Sequence, residues 1–309
     1  MSHKRHRCLL LTFDAFATLF HPRRPVPELY SSVACAFGLP KAVVAPANLQ
    51  AAFKNAYKAQ STVYPNYGRD KVLRGEYGGP TQWWADVLRA TFAEALGKQD
   101  ADLPGGMIDR LLGTFASQEG YSLYDDVRPC FDGLRDFKKE NALFDSIVTG
   151  VISNSDDRVP AVLKSLGLSV GNTRADIDRS STQLPGFEET VGQILGNDAP
   201  NKSDLNMVIT SYEAGEEKPN RLIFDVAVRQ AMRFLVHASS ITKDDADNVE
   251  WTLIHVGDDL AKDHQGAIDA GWHGILLDRN MTLSESPKDV TIIHSLEALI
   301  PEIKRYKPN

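Results

Sequence analysis

Three short runs of apolar residues stand out along the chain, at 8–13, 146–152 and 251–256. Each run has the length of a strand, and small, polar or acidic residues follow it at once. Apolar runs without alternation are typical of strands that are covered on both faces, as in parallel sheets. Helical patterns follow the second and third runs, at 157–168 and 259–272. We therefore predict an α/β fold, a doubly wound, Rossmann-like parallel sheet whose functional groups lie at the carboxyl ends of its strands.

The region 21–124 has a different pattern. Apolar residues recur there at helical spacing in four segments, 27–39, 48–60, 81–96 and 105–118, and no convincing strand lies between them. We predict an all-helical insertion after the first strand, at 21–124, and a core formed by 1–20 and 125–309. One of these helices contains Trp83 and Trp84, which point to different faces. We expect one ring to anchor the core and the other to lie at a domain interface.

Two segments of the core are polar. The stretch 169–205 is rich in Ser, Asn, Asp and Gly, and the stretch 239–250 is rich in charged residues. Compositions of this kind bury little apolar surface. We predict a long flexible loop at 169–205 and an exposed connection at 239–250.

Composition excludes several classes of function. With 309 residues, of which 42% are hydrophobic, the chain can bury a sizeable core and is expected to be soluble. Its net charge of −7 gives no reason to expect nucleic acid or an anionic membrane as a partner, and no run approaches the length of about 20 apolar residues that a membrane span needs. The three cysteines show no CxxC or metal-type spacing, so we expect reduced thiols in a cytoplasmic or nuclear protein that is not secreted.

Residues that could carry chemistry cluster at the ends of the predicted strands. Taken singly, each has an ordinary structural explanation: a Ser-Asn pair often caps a helix, a lysine before a proline is often a surface charge, and acidic residues favour a helix start. Read together, in this order along the chain, they indicate a functional site. The residues are Asp14, Ser153, Asn154, Lys218, Asp258, Asp259 and Asp263.

The order of these residues resembles the four motifs of the haloacid dehalogenase-like hydrolase superfamily. Those motifs are an Asp-initiated loop, a Ser or Thr at a strand end, a Lys before a helix, and an acidic cluster. The segments "VISNSD", "GEEKPNRLIFDVA" and "HVGDDLAKDHQGAIDAGW" are similar to the superfamily patterns, and the resemblance covers nearly the whole chain. The helical insertion falls where the superfamily places a helical cap domain.

The resemblance implies a catalytic role for three residues. Asp14 would be the nucleophile and would form an aspartyl-phosphate, while Lys218 and Ser153 would hold the phosphoryl oxygens. It also implies Mg²⁺ as cofactor, bound by Asp14, Asp258 and the backbone carbonyl of Phe16, because this hard cation prefers oxygen ligands.

Four further residues would support this site. The resemblance implies that Asp263 anchors Lys218 or a metal-bound water, with Asp259 as the alternative for that place. Asn154 and Thr18 would contribute hydrogen bonds that fix the two loops. The expected partner is a small phosphorylated molecule.

The first motif departs from the phosphatase pattern D-x-D-G-T. This chain reads Asp14-Ala15-Phe16-Ala17-Thr18, so an aromatic ring replaces the second aspartate, which in the family protonates the leaving alcohol and later deprotonates the attacking water. General acid–base help of this kind is worth about 10²–10⁴-fold in rate. Ala17 stands where the family has glycine, so the loop is expected to be shaped differently.

Three functions follow from this mixture of features. The first is a Mg²⁺-dependent hydrolase of small phosphorylated metabolites, slow because Phe16 replaces the acid. The second is a catalytically weakened member that serves as a binding or regulatory protein. The third is a 2-haloacid dehalogenase-type hydrolase, since those enzymes also carry an aromatic residue at this place but work without metal. The overall pattern is most similar to an uncharacterised eukaryotic branch with "FDAxxTL" in its first motif.

Overall fold

The computed structural model of the chain describes residues 5–98, 102–175, 203–238, 240–242, 246–283 and 289–306. Nine strands lie in these ranges: β1 His6–Phe13, β2 Phe20–Pro22, β3 Tyr121–Leu123, β4 Ser146–Ser153, β5 Val170–Thr173, β6 Leu205–Thr210, β7 Val249–Gly257, β8 His273–Leu277 and β9 Thr291–Ile293. Seven of them form one sheet in the order β5-β6-β4-β1-β7-β8-β9, and all its pairs are parallel. The prediction of a doubly wound α/β fold is confirmed.

Helices cover both faces of the sheet and fill the segment between β2 and β3. In chain order they are α1 Val26–Ala36, α2 Pro46–Val63, α3 Pro65–Leu73, α4 Pro80–Ala95, α5 Met107–Thr114, α6 Val127–Glu140, α7 Val159–Ser165, α8 Ser211–Ala214, α9 Arg221–His237, α10 Gly266–Asp269 and α11 Leu299–Ile303. A π-helical turn at Leu260–Gln265 precedes α10, and short 3₁₀ turns lie at Ala246–Asn248 and Leu296–Ala298. No helix in the described part of the chain is long and apolar enough to cross a membrane.

Strand β1 lies at the centre of the sheet and is buried from both sides. Leu9, Leu11 and Phe13 belong to the core under α6, α7 and α11, whereas Cys8 and Leu10 belong to the core under α9 and α10. Alternate residues of a strand point to opposite faces, so a strand that is covered twice must be apolar throughout. This burial explains why the unbroken apolar run predicted the strand correctly.

The predicted helical insertion contains five helices, α1 to α5, and a small core of its own around Tyr30, Leu49, Phe92 and Leu111. The expectation of no strand in 21–124 was wrong at its edges. Strands β2 and β3 form a short antiparallel pair, in which Phe20 lies opposite Leu123. Strands of three residues are too short to show an alternation of apolar and polar positions in the sequence. The domain boundaries at 20 and 124 stay a prediction.

The predicted loop at 169–205 was wrong at both ends. Val170–Thr173 is the edge strand β5, and Leu205 begins the buried strand β6 beside it. Gly171 explains the first error, because a β-carbon there would lie 2.5 Å from the backbone oxygen of Asn206. In the sequence Gly171 indicates a loop, but in the structure it is required because β5 and β6 pack closely at this point. The remaining part of this prediction, at 176–202, falls outside the described residues.

Candidate active site

The candidate site lies where the central strands end. Phe13 closes β1 opposite Val151 of β4 and Val256 of β7, so the loops that follow these strands meet at one edge of the sheet. Asp14 continues β1 by donating its backbone N–H to the Val256 carbonyl at 2.8 Å. Its carboxylate is therefore fixed at the point where the strand order of a doubly wound sheet reverses, the usual place for a ligand.

The loop after Asp14 folds back on itself. The backbone N–H groups of Leu19 and Phe20 both donate to the Ala15 carbonyl, at 2.9 and 3.1 Å, and the Ala17 N–H donates to the Phe20 carbonyl at 2.8 Å. Ala17 has a φ of 63°, a left-handed conformation that costs a residue other than glycine about 1 kcal/mol. The alanine thus adopts the backbone conformation that favours glycine.

Lys218 is buried at the centre of the site. Its Nζ donates to Asp14 Oδ1 at 2.7 Å, to Asp263 Oδ1 at 2.6 Å and to the Ile152 carbonyl at 2.8 Å. Asn154 fixes the backbone of this lysine, because its amide donates to the Lys218 carbonyl at 2.9 Å and accepts from the Lys218 N–H at 2.6 Å. The structure therefore brings four of the predicted residues into one hydrogen-bonded group.

Ser153, Thr18 and Asp258 lie around this group. Ser153 is the buried last residue of β4, opposite Thr210 of β6. Thr18 donates from Oγ1 to Asp258 Oδ1 at 3.2 Å, which joins the loop after β1 to the loop after β7. Asp258 itself is exposed. These contacts place all three residues at the same edge of the sheet as Asp14.

Of the two acids proposed to anchor the lysine, Asp263 contacts it. Asp263 is 2% exposed, lies 3.3 Å from Nε2 of His255, and accepts from the Asp259 N–H at 2.9 Å. Asp259 turns away and accepts from the backbone N–H groups of Ala261 and Lys262. It therefore acts as the N-cap of the π-helical turn and makes no contact with the buried lysine.

The site holds more negative than positive charge. Burial raises the pKa of Asp14, and Asp263 adds to this, although Lys218 opposes it. Partial desolvation by the surrounding loops and the charge of Asp263 likewise raise the pKa of Asp258, although its side chain reaches solvent. For Asp263 the effect of burial is outweighed by Lys218 and His255, which hold its pKa below the usual range. The pKa of Lys218 is raised because the two carboxylates outweigh the cost of burying its charge. A second cation at the site would neutralise the excess negative charge.

The residues fit a divalent cation with oxygen ligands. One carboxylate oxygen from each of Asp14, Asp258 and Asp263 lies within 4.8 Å of the others. Lys218 already binds Asp14 and Asp263, which leaves the second oxygen of Asp14 and the exposed carboxylate of Asp258. The Phe16 carbonyl, in the same loop, accepts no hydrogen bond from any described residue. Hard oxygen donors of this kind suit Mg²⁺.

Sequence reasoning missed a partly buried arginine that holds the loop after Asp14. Arg279, just after β8, donates from Nη2 to the Thr18 carbonyl at 2.8 Å and pairs through Nη1 with Asp126. Its guanidinium also lies 4.1 Å from the ring centroid of Tyr124. No motif surrounds this residue in the sequence. His255 was also missed as a contact of Asp263, although it stands inside the quoted "HVGDD" segment.

Comparison with known proteins gives one family. Residues 216–299 match a family model described as HAD-hydrolase-like. The human haloacid dehalogenase-like hydrolase domain-containing protein 3 is 29% identical over 307 residues, covering 98% of this chain and 96% of its own length. Among solved structures, a 2-haloacid dehalogenase from Pseudomonas syringae pv. Tomato DC3000 is 18% identical, covers 97% of this chain and 99% of its own, and has a TM-score of 0.52. The HAD-hydrolase YfnB from Bacillus subtilis, bound to magnesium, is 14% identical, with coverages of 97% and 99% and a TM-score of 0.50. At these identities the two structures show a shared fold.

Proposed function

Because the chain belongs to the haloacid dehalogenase-like hydrolase superfamily, we propose that it is a Mg²⁺-dependent hydrolase of small phosphorylated molecules with Asp14 as the nucleophile. One observation carries the proposal. Asp14 and Asp263 bind one buried ammonium group, and an oxygen of Asp258 lies within 4.8 Å of an oxygen of each, so the site has surplus negative charge for a divalent cation beside Asp14. A dianionic phosphoryl group can bind there only if that surplus is neutralised.

The residues of the chain have distinct roles in this proposal. A carboxylate oxygen of Asp14 attacks phosphorus, the bond from phosphorus to the leaving oxygen breaks, and an aspartyl-phosphate forms. Lys218 and Ser153 hold the phosphoryl oxygens, and Asp263 keeps the lysine charged and oriented. Water then attacks phosphorus and releases phosphate and the Asp14 carboxylate. Bound Mg²⁺, held by Asp14, Asp258 and the Phe16 carbonyl, would supply charge neutralisation for the phosphoryl oxygens.

The test is release of phosphate from acetyl phosphate, whose leaving group needs no proton, and from a set of sugar and alkyl phosphates. We expect turnover that requires Mg²⁺, stops with a chelator, and falls at least about 100-fold in Asp14→Asn and in Asp258→Asn. Asp269→Asn, which changes an exposed carboxylate on α10, is the matched control and should keep full activity. Activity that survives the chelator would overturn the proposal.

Phe16 supports a second candidate, a weakened member that binds ligands without turnover. The ring takes the position of the family's acid and is 48% exposed beside the nucleophile. In that case Mg²⁺ and an inert phosphate analogue such as vanadate would still bind, as titration calorimetry would detect. No phosphorylated compound would then be hydrolysed faster than by Asp14→Asn.

The same aromatic residue supports a dehalogenase only weakly. Halide leaves without a proton, so the missing acid would do no harm, but a metal-free reaction gives no use for the surplus carboxylate charge around Asp14. Chloride release from 2-chloropropionate in the presence of a chelator would favour this candidate over the hydrolysis of phosphates.

A further inference from the structure

Trp84 joins the helical insertion to the core. It lies on α4, and its Nε1 donates to the buried carboxylate of Asp156 at 2.7 Å. Asp156 belongs to the loop after β4, at 154–158. The neighbouring Trp83 is buried and donates from Nε1 to the Tyr64 carbonyl at 2.9 Å, within the insertion. This confirms that one ring of the Trp pair is a buried anchor and that the other lies at the interface with the core.

Arg158 holds the Asp156 carboxylate in a fixed orientation. It donates from Nε to one oxygen at 2.8 Å, from Nη2 to the other at 2.7 Å, and from its backbone N–H at 3.0 Å. Its guanidinium also lies 4.9 Å from the centroid of the Trp84 ring. Hydrogen bonds to an ionised acceptor are about twice as strong as those between neutral groups. Trp84 therefore binds a charged group whose position in the loop is already fixed.

Asn66 makes a second contact with the same loop through α8. Its amide donates to the Ser211 carbonyl at 2.9 Å, and the Ser211 hydroxyl lies 3.1 Å from Asn66 Oδ1 and 3.2 Å from the Ser155 carbonyl oxygen. Tyr67, the next residue, has a φ of 59°, and its ring packs edge-on against Tyr212 with centroids 6.3 Å apart. A left-handed conformation at a residue of this size persists only where surrounding contacts impose it. The helical insertion is thus bound to the loop after β4 at two places.

The loop after β4 starts at the candidate site. Ser153 is the last residue of β4, and Asn154 follows it. The Asn154 side chain binds the backbone N–H and carbonyl of Lys218, at 2.6 and 2.9 Å, and Lys218 Nζ donates to Asp14 at 2.7 Å. Asp156 lies only two residues after Asn154 in the chain. One short segment therefore connects the helical insertion with the groups proposed to hold a phosphoryl group.

The loop after β4 depends on side-chain contacts for its position. Residues 154–158 belong to no helix or strand, so few backbone hydrogen bonds hold them. Positions of the loop in which Ser153 or Lys218 is displaced cannot bind the phosphoryl oxygens, and the affinity of a ligand falls in proportion to the competent fraction. The proposed Mg²⁺ ligands Asp258 and Phe16 lie on other loops, after β7 and β1.

Resting on the proposed function, we propose that Trp84 is a positioning residue for the phosphoryl group of the substrate. Its hydrogen bond to Asp156 holds the loop after β4 in the position in which the groups that bind phosphoryl oxygens converge. Docking of the helical insertion on the core and assembly of these groups are then one coupled event. A bound phosphoryl group stabilises the contact between Trp84 and Asp156, and the contact in turn stabilises binding.

Removal of the indole donor tests the role of Trp84 without any chemistry. Trp84→Phe keeps an aromatic ring at the interface but cannot donate to Asp156. Titration calorimetry with vanadate at saturating Mg²⁺ should show binding weakened about ten-fold, as expected for loss of one hydrogen bond to a charged group. Binding of Mg²⁺ alone should change by less than about two-fold, because its proposed ligands lie on other loops. Vanadate affinity equal to that of the wild-type protein would reduce the contact to a structural role and overturn the inference.

Trp83→Phe is the matched control. It removes an indole donor from the adjacent residue, whose partner lies within the helical insertion. We expect it to leave the affinity for vanadate unchanged, even where urea denaturation shows a lower free energy of unfolding. Equal weakening by both variants would place the effect in the folding of the insertion and overturn the inference.

Exchange of the indole protons provides the reciprocal measurement on the wild-type protein. The chain has four tryptophans, and the Trp84 indole signal in NMR spectra is the one that Trp84→Phe lacks. Adding saturating vanadate to the Mg²⁺-bound protein should slow exchange of the Trp84 Nε1 proton with deuterated water about ten-fold, since linkage makes the two effects equal. Exchange at Trp83 should stay the same. An unchanged rate at Trp84 would overturn the inference.

Two further results separate the inference from the proposed function. Asp14-dependent hydrolysis of acetyl phosphate, combined with vanadate binding that does not respond to Trp84→Phe, would leave the proposed function standing and overturn this inference. Wild-type protein that neither binds vanadate in the presence of Mg²⁺ nor hydrolyses any phosphorylated compound would overturn both.

Discussion

In the proposed reaction, Phe16 stands where a carboxylic acid would help both steps of phosphoryl transfer. Restoring that acid with Phe16→Asp is expected to raise kcat for alkyl phosphates such as glycerol 3-phosphate by about 10²-fold or more. Acetyl phosphate should gain much less in the first step, since its leaving group needs no proton. Steady-state kinetics at saturating Mg²⁺ measure both effects.

The matched control is Phe16→Asn, which has the same size and polarity but transfers no proton. Only the aspartate should accelerate the reaction. If Asp and Asn variants hydrolyse alkyl phosphates equally fast, the side chain at this position does not reach the leaving oxygen, and the loop geometry rather than the missing acid limits the rate.

Ala17 adopts a conformation that glycine adopts without cost. With φ at 63°, Ala17→Gly should raise the free energy of unfolding by about 0.5–1 kcal/mol, because relief of the strain exceeds the extra entropy of the unfolded glycine chain. Urea denaturation followed by circular dichroism measures this. Ala51→Gly in the interior of α2 should change stability by about 1 kcal/mol in the opposite direction. Destabilisation by both glycines would contradict the assigned strain.

At the scale of the element, burial decides which strands a sequence reveals. Strands β1, β4 and β7 were predicted within three residues of their observed ends, since both faces of each are covered and the apolar run is unbroken. Strand β6 is equally buried, but it follows a polar stretch, its first residue was assigned to the loop at 169–205, and the rest of the strand was not predicted. Strand β5 lies at the sheet edge, and its sequence of Val-Gly-Asn-Thr has no apolar pattern. Its existence depends on a neighbour that only the folded chain supplies.

The helical pattern after β7 predicted an ordinary helix, but the first turn is π-helical. The backbone N–H groups of Asp263 and His264 both donate to the Asp259 carbonyl, at 2.9 and 3.2 Å. The wider turn leans Asp263 over Gly257, where a β-carbon would lie 2.2 Å from its carboxylate. Such turns often occur at functional sites. Here the turn aims one acid at the buried lysine while the preceding acid caps the helix.

For the whole molecule, Arg279 joins parts of the chain that are far apart in sequence. It connects the loop after β1 with Asp126 at the start of α6, and Asp126 in turn accepts from the Leu296 N–H at 2.8 Å. We expect Arg279→Gln to lower the free energy of unfolding by about 3 kcal/mol, because it leaves the buried Asp126 carboxylate without its cationic partner. Urea denaturation again provides the measurement.

Two variants check that loss. Adding Asp126→Asn to Arg279→Gln should recover part of the stability, since the unpaired charge is then removed. Arg305→Gln breaks an ion pair with Glu302 in which the arginine is 72% exposed, and it should leave the denaturation midpoint almost unchanged. If Arg279→Gln shifted the denaturation midpoint as little as Arg305→Gln, the contacts of Arg279 with Asp126 and Thr18 would not contribute to stability.

The sequence by itself determined the fold class and the order of the chemical groups. Unbroken apolar runs require strands buried on both faces, and parallel strands end at one edge, so Asp14, Ser153 and Asp258 had to lie near each other. Only the tertiary structure decided that Asp263 rather than Asp259 binds Lys218 and that Arg279 holds the loop after Asp14. These choices depend on angles of turns and on contacts between residues up to 261 positions apart, which no local pattern encodes.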